Sequence, residues 1–150
     1  MTGTTNSWGW HHTGLAVSNL DRAVDYYRET MGFEVVFEAR GLTDLIGSVT
    51  GVPGLGADLA QCKSPMSDQI LELLQFTNIP KTFNQLAPIL PGRAHTAYLV
   101  EDLERSLHAL EAAGGVLLGN ITEFSEGRSI YCADPTGNVV ELEEQSQGTS

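Results

Sequence analysis

The sequence predicts an α+β fold made of two βαβββ units, and three observations predict it. Residues 12–32 laid over 95–115 align with six identities in 21 positions, without a gap: His12/His95, Thr13/Thr96, Val17/Val100, Leu20/Leu103, Arg22/Arg105 and Gly32/Gly115. Each copy carries helix-start chemistry followed about a dozen residues later by glycine. Each half closes on an apolar strand interrupted by a glutamate, Glu72 in Ile-Leu-Glu-Leu-Leu and Glu141 in Val-Val-Glu-Leu.

In chain order, the alternating run His12-Thr-Gly-Leu-Ala-Val17 reads as a strand. Ser18-Asn19-Leu20-Asp21 supplies a helix N-cap, residues 21–31 carry Ala23, Val24, Tyr27 and Met31 at helical spacing, and Gly32 stops the helix. Phe33–Phe37 reads as the second strand, 57–62 as the third and 69–75 as the fourth. The second copy repeats this as strand 95–100, N-cap Glu101-Asp102, helix 103–113, a stop at Gly114-Gly115, and strands 116–118, 129–132 and 138–144. One domain over 9–145 follows, with modules at about 9–76 and 93–145. Residues 77–92, with Pro80, Pro88, Pro91 and Gly92, form the linker, and 1–8 and 146–150 are expected to be flexible ends. Segment 40–58 carries five glycines and places Leu42, Leu45, Ile46 and Val49 at helical spacing. This predicts a short amphipathic helix, packed on a rim or serving as a lid or dimer contact.

Composition removes whole classes of function. With 8 Lys plus Arg against 19 Asp plus Glu, the chain has net charge −11 and repels phosphate backbones and anionic membranes. No apolar run approaches the ~20 residues that span a bilayer, and Met1–Gly9 has no basic and apolar leader. Cys62 and Cys132 form no CxxC and read as buried thiols. The expectation is a cytoplasmic protein acting on a small molecule, with no nucleic-acid or membrane partner.

The repeat also places a histidine on the first strand of each module and a glutamate on the last. His12, Glu72, His95 and Glu141 form a 2-His-2-Glu set, which suits a borderline divalent ion: Zn, Ni, Co, Mn or Fe(II). Side chains must share one sheet face for this, and strand alternation allows it. Glu72 in an apolar strand either turns to solvent or is buried with a partner.

These residues resemble the vicinal oxygen chelate superfamily, which includes glyoxalase I, methylmalonyl-CoA epimerase, bleomycin-binding proteins and extradiol dioxygenases. The resemblance is carried by His12–Ala23, Tyr26-Tyr27, Met31–Glu34, Leu71–Leu74, Gly92–His95 and Asp134–Glu141, and spans about residues 10–145. It implies a mixed sheet curled into a half-open cup and one divalent metal held by His12, Glu72, His95 and Glu141 on its inside. It also implies a homodimer. The chemistry it implies is an isomerase or lyase that chelates adjacent oxygens of a small carbonyl substrate while Glu72 or Glu141 moves a proton.

The branches differ at particular positions. Ala16 and Phe76 stand where glyoxalases carry the arginine and asparagine that hold glutathione, so glutathione specificity is not implied. A ring-cleaving extradiol-type dioxygenase is the alternative; it would use His12, His95 and Glu141, with Tyr131 as a site tyrosine. Of the spare histidines, His11 is expected to face away from His12 and His108 to lie on a helix. A ligand-sequestering protein of the antibiotic-resistance type is the third reading, and members of that branch lack the metal residues. Tyr131 and Arg128, if both face inside, would donate to a substrate oxygen and pair with a substrate carboxylate.

Overall fold

The computed structural model describes residues 7–146. The expected frayed ends therefore fall almost wholly outside the described residues. The first module runs β1 (Gly9–Ala16), α1 (Leu20–Met31), β2 (Glu34–Leu42), α2 (Asp44–Thr50), β3 (Gly56–Lys63) and β4 (Ile70–Thr77). The second runs β5 (Ala94–Leu99), α3 (Leu103–Ala112), β6 (Val116–Leu117), β7 (Thr122–Phe124), β8 (Gly127–Ala133) and β9 (Val139–Gln145).

The helix boundaries have local causes. Asn19 Oδ1 accepts the Arg22 amide at 2.9 Å, and Asp102 Oδ1 accepts that of Arg105 at 3.0 Å, so both copies of the cap use the same device. Gly32 ends α1 with φ 73°, a left-handed conformation that glycine adopts without a Cβ penalty. The α3 helix stops at Ala112, a residue before the predicted end.

Among the described residues, nine strands form one sheet in the order β2-β3-β4-β1-β5-β9-β8-β6, with β7 pairing to β8. The two modules meet where β1 and β5 run antiparallel; β4 and β9 flank them in parallel. One face of each module packs under its helix. Leu20 of α1 sits with Ala60, Cys62 and Leu73, and Leu103, Leu107 and Leu110 of α3 sit with Ile130, Cys132, Val140 and Leu142. Both cysteines are free and buried in these layers. The opposite face is concave. Residues of β2, β3 and β4 and of β7, β8 and β9 line one cavity of about 530 Å³, so both wings of the sheet wrap round it.

Three local features differ from the sequence reading. The β2 strand continues past Phe37 to Leu42, because bulges near Val36 and between Ala39 and Leu42 absorb the irregular residues. The bulge containing Gly41, at φ 67°, is pinned by its amide to Asp58 Oδ1 at 2.7 Å. The short strand β7 makes a hairpin with β8 that no periodicity announced. Beyond Thr77, the end of β4, segment 78–92 has no regular secondary structure, but it buries Ala87 and Ile89 against Leu74 and Phe76.

Candidate metal centre

The sheet register sets the four predicted ligands on the concave face in two matching rows. Gln61, Glu72, Gly14 and His95 are successive neighbours across β3, β4, β1 and β5. Tyr131, Glu141, Ala97 and His12 are successive neighbours across β8, β9, β5 and β1. Each row is thus a polar residue, a glutamate, a small residue and a histidine, and the rows run in opposite senses. Gly14 has a steric reason. A Cβ added to Gly14 would lie 2.1 Å from His95 Cε1, so the imidazole occupies the space that a side chain at 14 would fill.

The ligand atoms converge. His12 Nε2 lies 3.3 Å from His95 Nε2, 3.4 Å from Glu72 Oε1 and 3.5 Å from Glu141 Oε1. His95 Nε2 lies 3.2 Å from Glu141 Oε1 and 4.0 Å from Glu72 Oε1. An ion about 2.0–2.2 Å from each of four tetrahedral ligands sets them ~3.4 Å apart, so this spacing fits a divalent metal. All four side chains are buried, with residue exposures from 1% to 7%. Two buried carboxylates facing two imidazoles make an expensive arrangement for structure alone, and a divalent cation neutralises it.

Electrostatics in the metal-free protein agree. Burial alone would lower the His12 pKa, but the charges of Glu72 and Glu141 and their hydrogen bonds outweigh it and raise it to about 11. Glu72 and Glu141 are held below the usual carboxylate range: burial opposes this, and the neighbouring imidazoles outweigh burial. A proton on His12 therefore fills the position of the cation.

Further residues surround the ligands. Gln61 Nε2 donates to Glu72 Oε2 at 2.9 Å and fixes that carboxylate from behind. The Tyr131 hydroxyl lies 3.3 Å from His95 Nδ1, and burial followed by the charge of Glu141 raises its pKa well above the ordinary value, so it stays a neutral donor. His11 Nδ1 stands 2.7 Å from His12 Nδ1 and 3.4 Å from Glu143 Oε2. Burial, then the charge of Glu141, raises the Glu143 pKa to about 8.

Two sequence expectations change. His11 does not face away from the site. The β1–β5 register shifts between Trp10 and His12, and this bulge breaks the alternation and turns His11 toward the cavity. Arg128 does not share the inner face with Tyr131. The two are an odd number of residues apart on β8, and the Arg128 guanidinium lies on the α3 side. It is held there by both oxygens of Glu104 at 2.8 and 2.9 Å and by Glu144 at 3.0 Å. His108 lies on α3, as expected.

The profile of the Glyoxalase/Bleomycin resistance protein/Dioxygenase superfamily matches residues 9–142. The chain belongs to this superfamily. No curated protein matches it in sequence. Among solved structures it is similar to methylmalonyl-CoA epimerase from Mycobacterium tuberculosis, with 21% identity, TM-score 0.66, and 93% of this chain and 89% of that one covered. A variant of the Streptomyces coelicolor epimerase, in complex with 2-nitronate-propionyl-CoA, gives 21% identity and TM-score 0.66 over 96% and 99% of the two chains. A hypothetical protein of Bacillus halodurans C-125 gives 15% identity and TM-score 0.66 over 96% and 99%. At these identities the likeness is one of fold. As a member of this superfamily, the chain combines its α+β fold of paired βαβββ-like modules with a buried His/Glu cluster suited to a metal. No helix among the described residues is long and apolar enough to cross a membrane.

Proposed function

We propose that this chain is a metal-dependent isomerase or lyase acting on a small carbonyl compound with adjacent oxygens. The observation that carries this reading is the convergence of four buried ligand atoms, from His12, Glu72, His95 and Glu141, beside a cavity of about 530 Å³ that Glu72 and Glu141 line. One divalent ion held there (Zn, Ni, Co, Mn or Fe(II)) supplies a Lewis acid for two vicinal oxygens and for the negative charge that grows on them. Glu72 is anchored through its outer oxygen by Gln61, so we assign the proton transfer to Glu141. The Tyr131 hydroxyl stands beside the His95 ring, 3.3 Å from Nδ1 and 3.5 Å from Nε2, where we assign it to donate to a substrate oxygen. The missing glutathione contacts at Ala16 and Phe76 argue for a substrate other than a glutathione adduct.

Elemental analysis of the purified protein tests the site. We expect one metal per chain, absent from the His12→Ala/His95→Ala double variant; protein that neither holds nor takes up metal supports the ligand-sequestering reading instead. Glu141→Gln should remain folded by circular dichroism and lose at least ~100-fold in turnover. Full activity in that variant removes Glu141 from the mechanism.

The ring-cleaving dioxygenase reading gains one observation, the placement of His11 beside the cavity that Tyr131 also lines. Oxygen uptake with a catechol by the iron- or manganese-loaded protein separates it from the isomerase, which consumes none.

A further inference from the structure

The cavity beside the ligands has two unlike walls. The wall made by β2, α2, β3 and β4 is apolar and includes Leu42, Leu45, Ile46, Val49, Leu59 and Leu74. At its rim Val36, Phe37 and Leu45 are all large, apolar and exposed. Exposed apolar groups gathered at a concavity mark a surface that a ligand covers. The facing wall, from β7, β8 and β9, includes Glu126 and Glu143, while the Glu144 carboxylate is turned to Arg128 and the Leu103 amide. Among the described residues, the single lysine or arginine lining the cavity is Arg128, and its guanidinium is spent on Glu104 and Glu144. Among the described residues no lysine or arginine is therefore left in the cavity to receive a phosphate or carboxylate.

We propose that this cavity takes a substrate with an uncharged, apolar body, whose adjacent oxygens lie only at the end that meets His12, Glu72, His95 and Glu141. This rests on the metal-dependent reading for the oxygens and on the walls for the body. It sets the chain's substrate apart from phosphate-bearing thioesters such as the ligand in the Streptomyces epimerase structure. Leu45 becomes a specificity-determining residue, because it is the exposed apolar side chain of α2 on this cavity.

A matched pair of dyes tests the body without needing the metal. N-phenyl-1-naphthylamine and 1-anilinonaphthalene-8-sulfonate share one ring skeleton and differ by a sulfonate. Titrated into the full chain, the neutral dye should bind at one site at least ~10-fold more tightly than the sulfonate, a difference worth about 1.4 kcal/mol. Leu45→Glu, which changes an exposed position and should keep its fold by circular dichroism, should weaken the neutral dye by a similar factor. Equal or tighter binding of the sulfonate overturns the proposal, and so does neutral-dye binding that Leu45→Glu leaves untouched. A zinc titration on the same sample separates the two readings. Metal uptake without dye discrimination overturns the substrate class alone. Dye discrimination without metal uptake upholds the apolar body and removes the chelation reading.

Discussion

The smallest residue in the site makes a strict demand. Gly14 has no positive φ to require glycine; its reason is the His95 ring, which lies where a Cβ would be. Gly14→Ala should therefore act on the metal and spare the strand. A competition titration with a chelating dye should show zinc affinity lowered ~10–100-fold, the range seen when a ligand's support is lost. Unchanged affinity would mean that His95 holds the metal from another rotamer. The four ligands were legible in the sequence because the repeat set His12 over His95 and because Glu72 and Glu141 stood out in apolar strands. Their supporters were less legible. Gln61 shows only through the β3–β4 register, which sets it opposite Glu72. Glu143 lies two residues past Glu141 on one strand face, so alternation alone could have placed it. The same alternation separates Arg128 from Tyr131. His11 had no sequence signal, since a bulge is what turns it.

At the scale of elements, α2 reaches across the cavity from the first module to the second. Ser48 Oγ and Thr122 Oγ1 are 2.7 Å apart, and the Asn120 amide donates to Ser48 O at 2.8 Å. Chain 118–119 comes so close that a Cβ on Gly119 would lie 1.9 Å from Val49 O. Helical spacing foretold α2 and its buried residues Ile46 and Val49, but the partner across the cavity lies some seventy residues on and leaves no local mark. Gly119→Ala should push α2 and this loop apart at a cost of ~1–3 kcal/mol, the usual penalty of overpacking. In thermal unfolding this is a drop of several degrees. The neutral naphthylamine should bind more weakly to the same variant, because Leu45 and Val49 move with the helix. A lowered midpoint with unchanged dye binding would make α2 a brace with no part in the cavity wall.

For the whole molecule, the antiparallel join of β1 and β5 assembles one centre from two half-sites, and that centre must be neutralised by something. In the metal-free protein a proton on His12 does so, with the folded pKa raised from 6.5 to about 11. The stability it contributes is complete below pH 6.5 and is lost as pH rises through about 11. A divalent ion requires His12 neutral, so binding it near pH 7 must expel about one proton. Two consequences can be measured. Calorimetric titrations in buffers of different ionisation enthalpy should report release of about one proton per zinc, and apparent zinc affinity should rise about tenfold per pH unit between pH 6.5 and 8. Bound zinc at ~1,000 times its dissociation constant should add ~4 kcal/mol to stability. In the His12→Ala/His95→Ala variant all three effects should vanish together. Zinc that binds without releasing a proton would show that His12 is neutral in the free protein. That result would overturn the proton on His12 as what balances the two carboxylates.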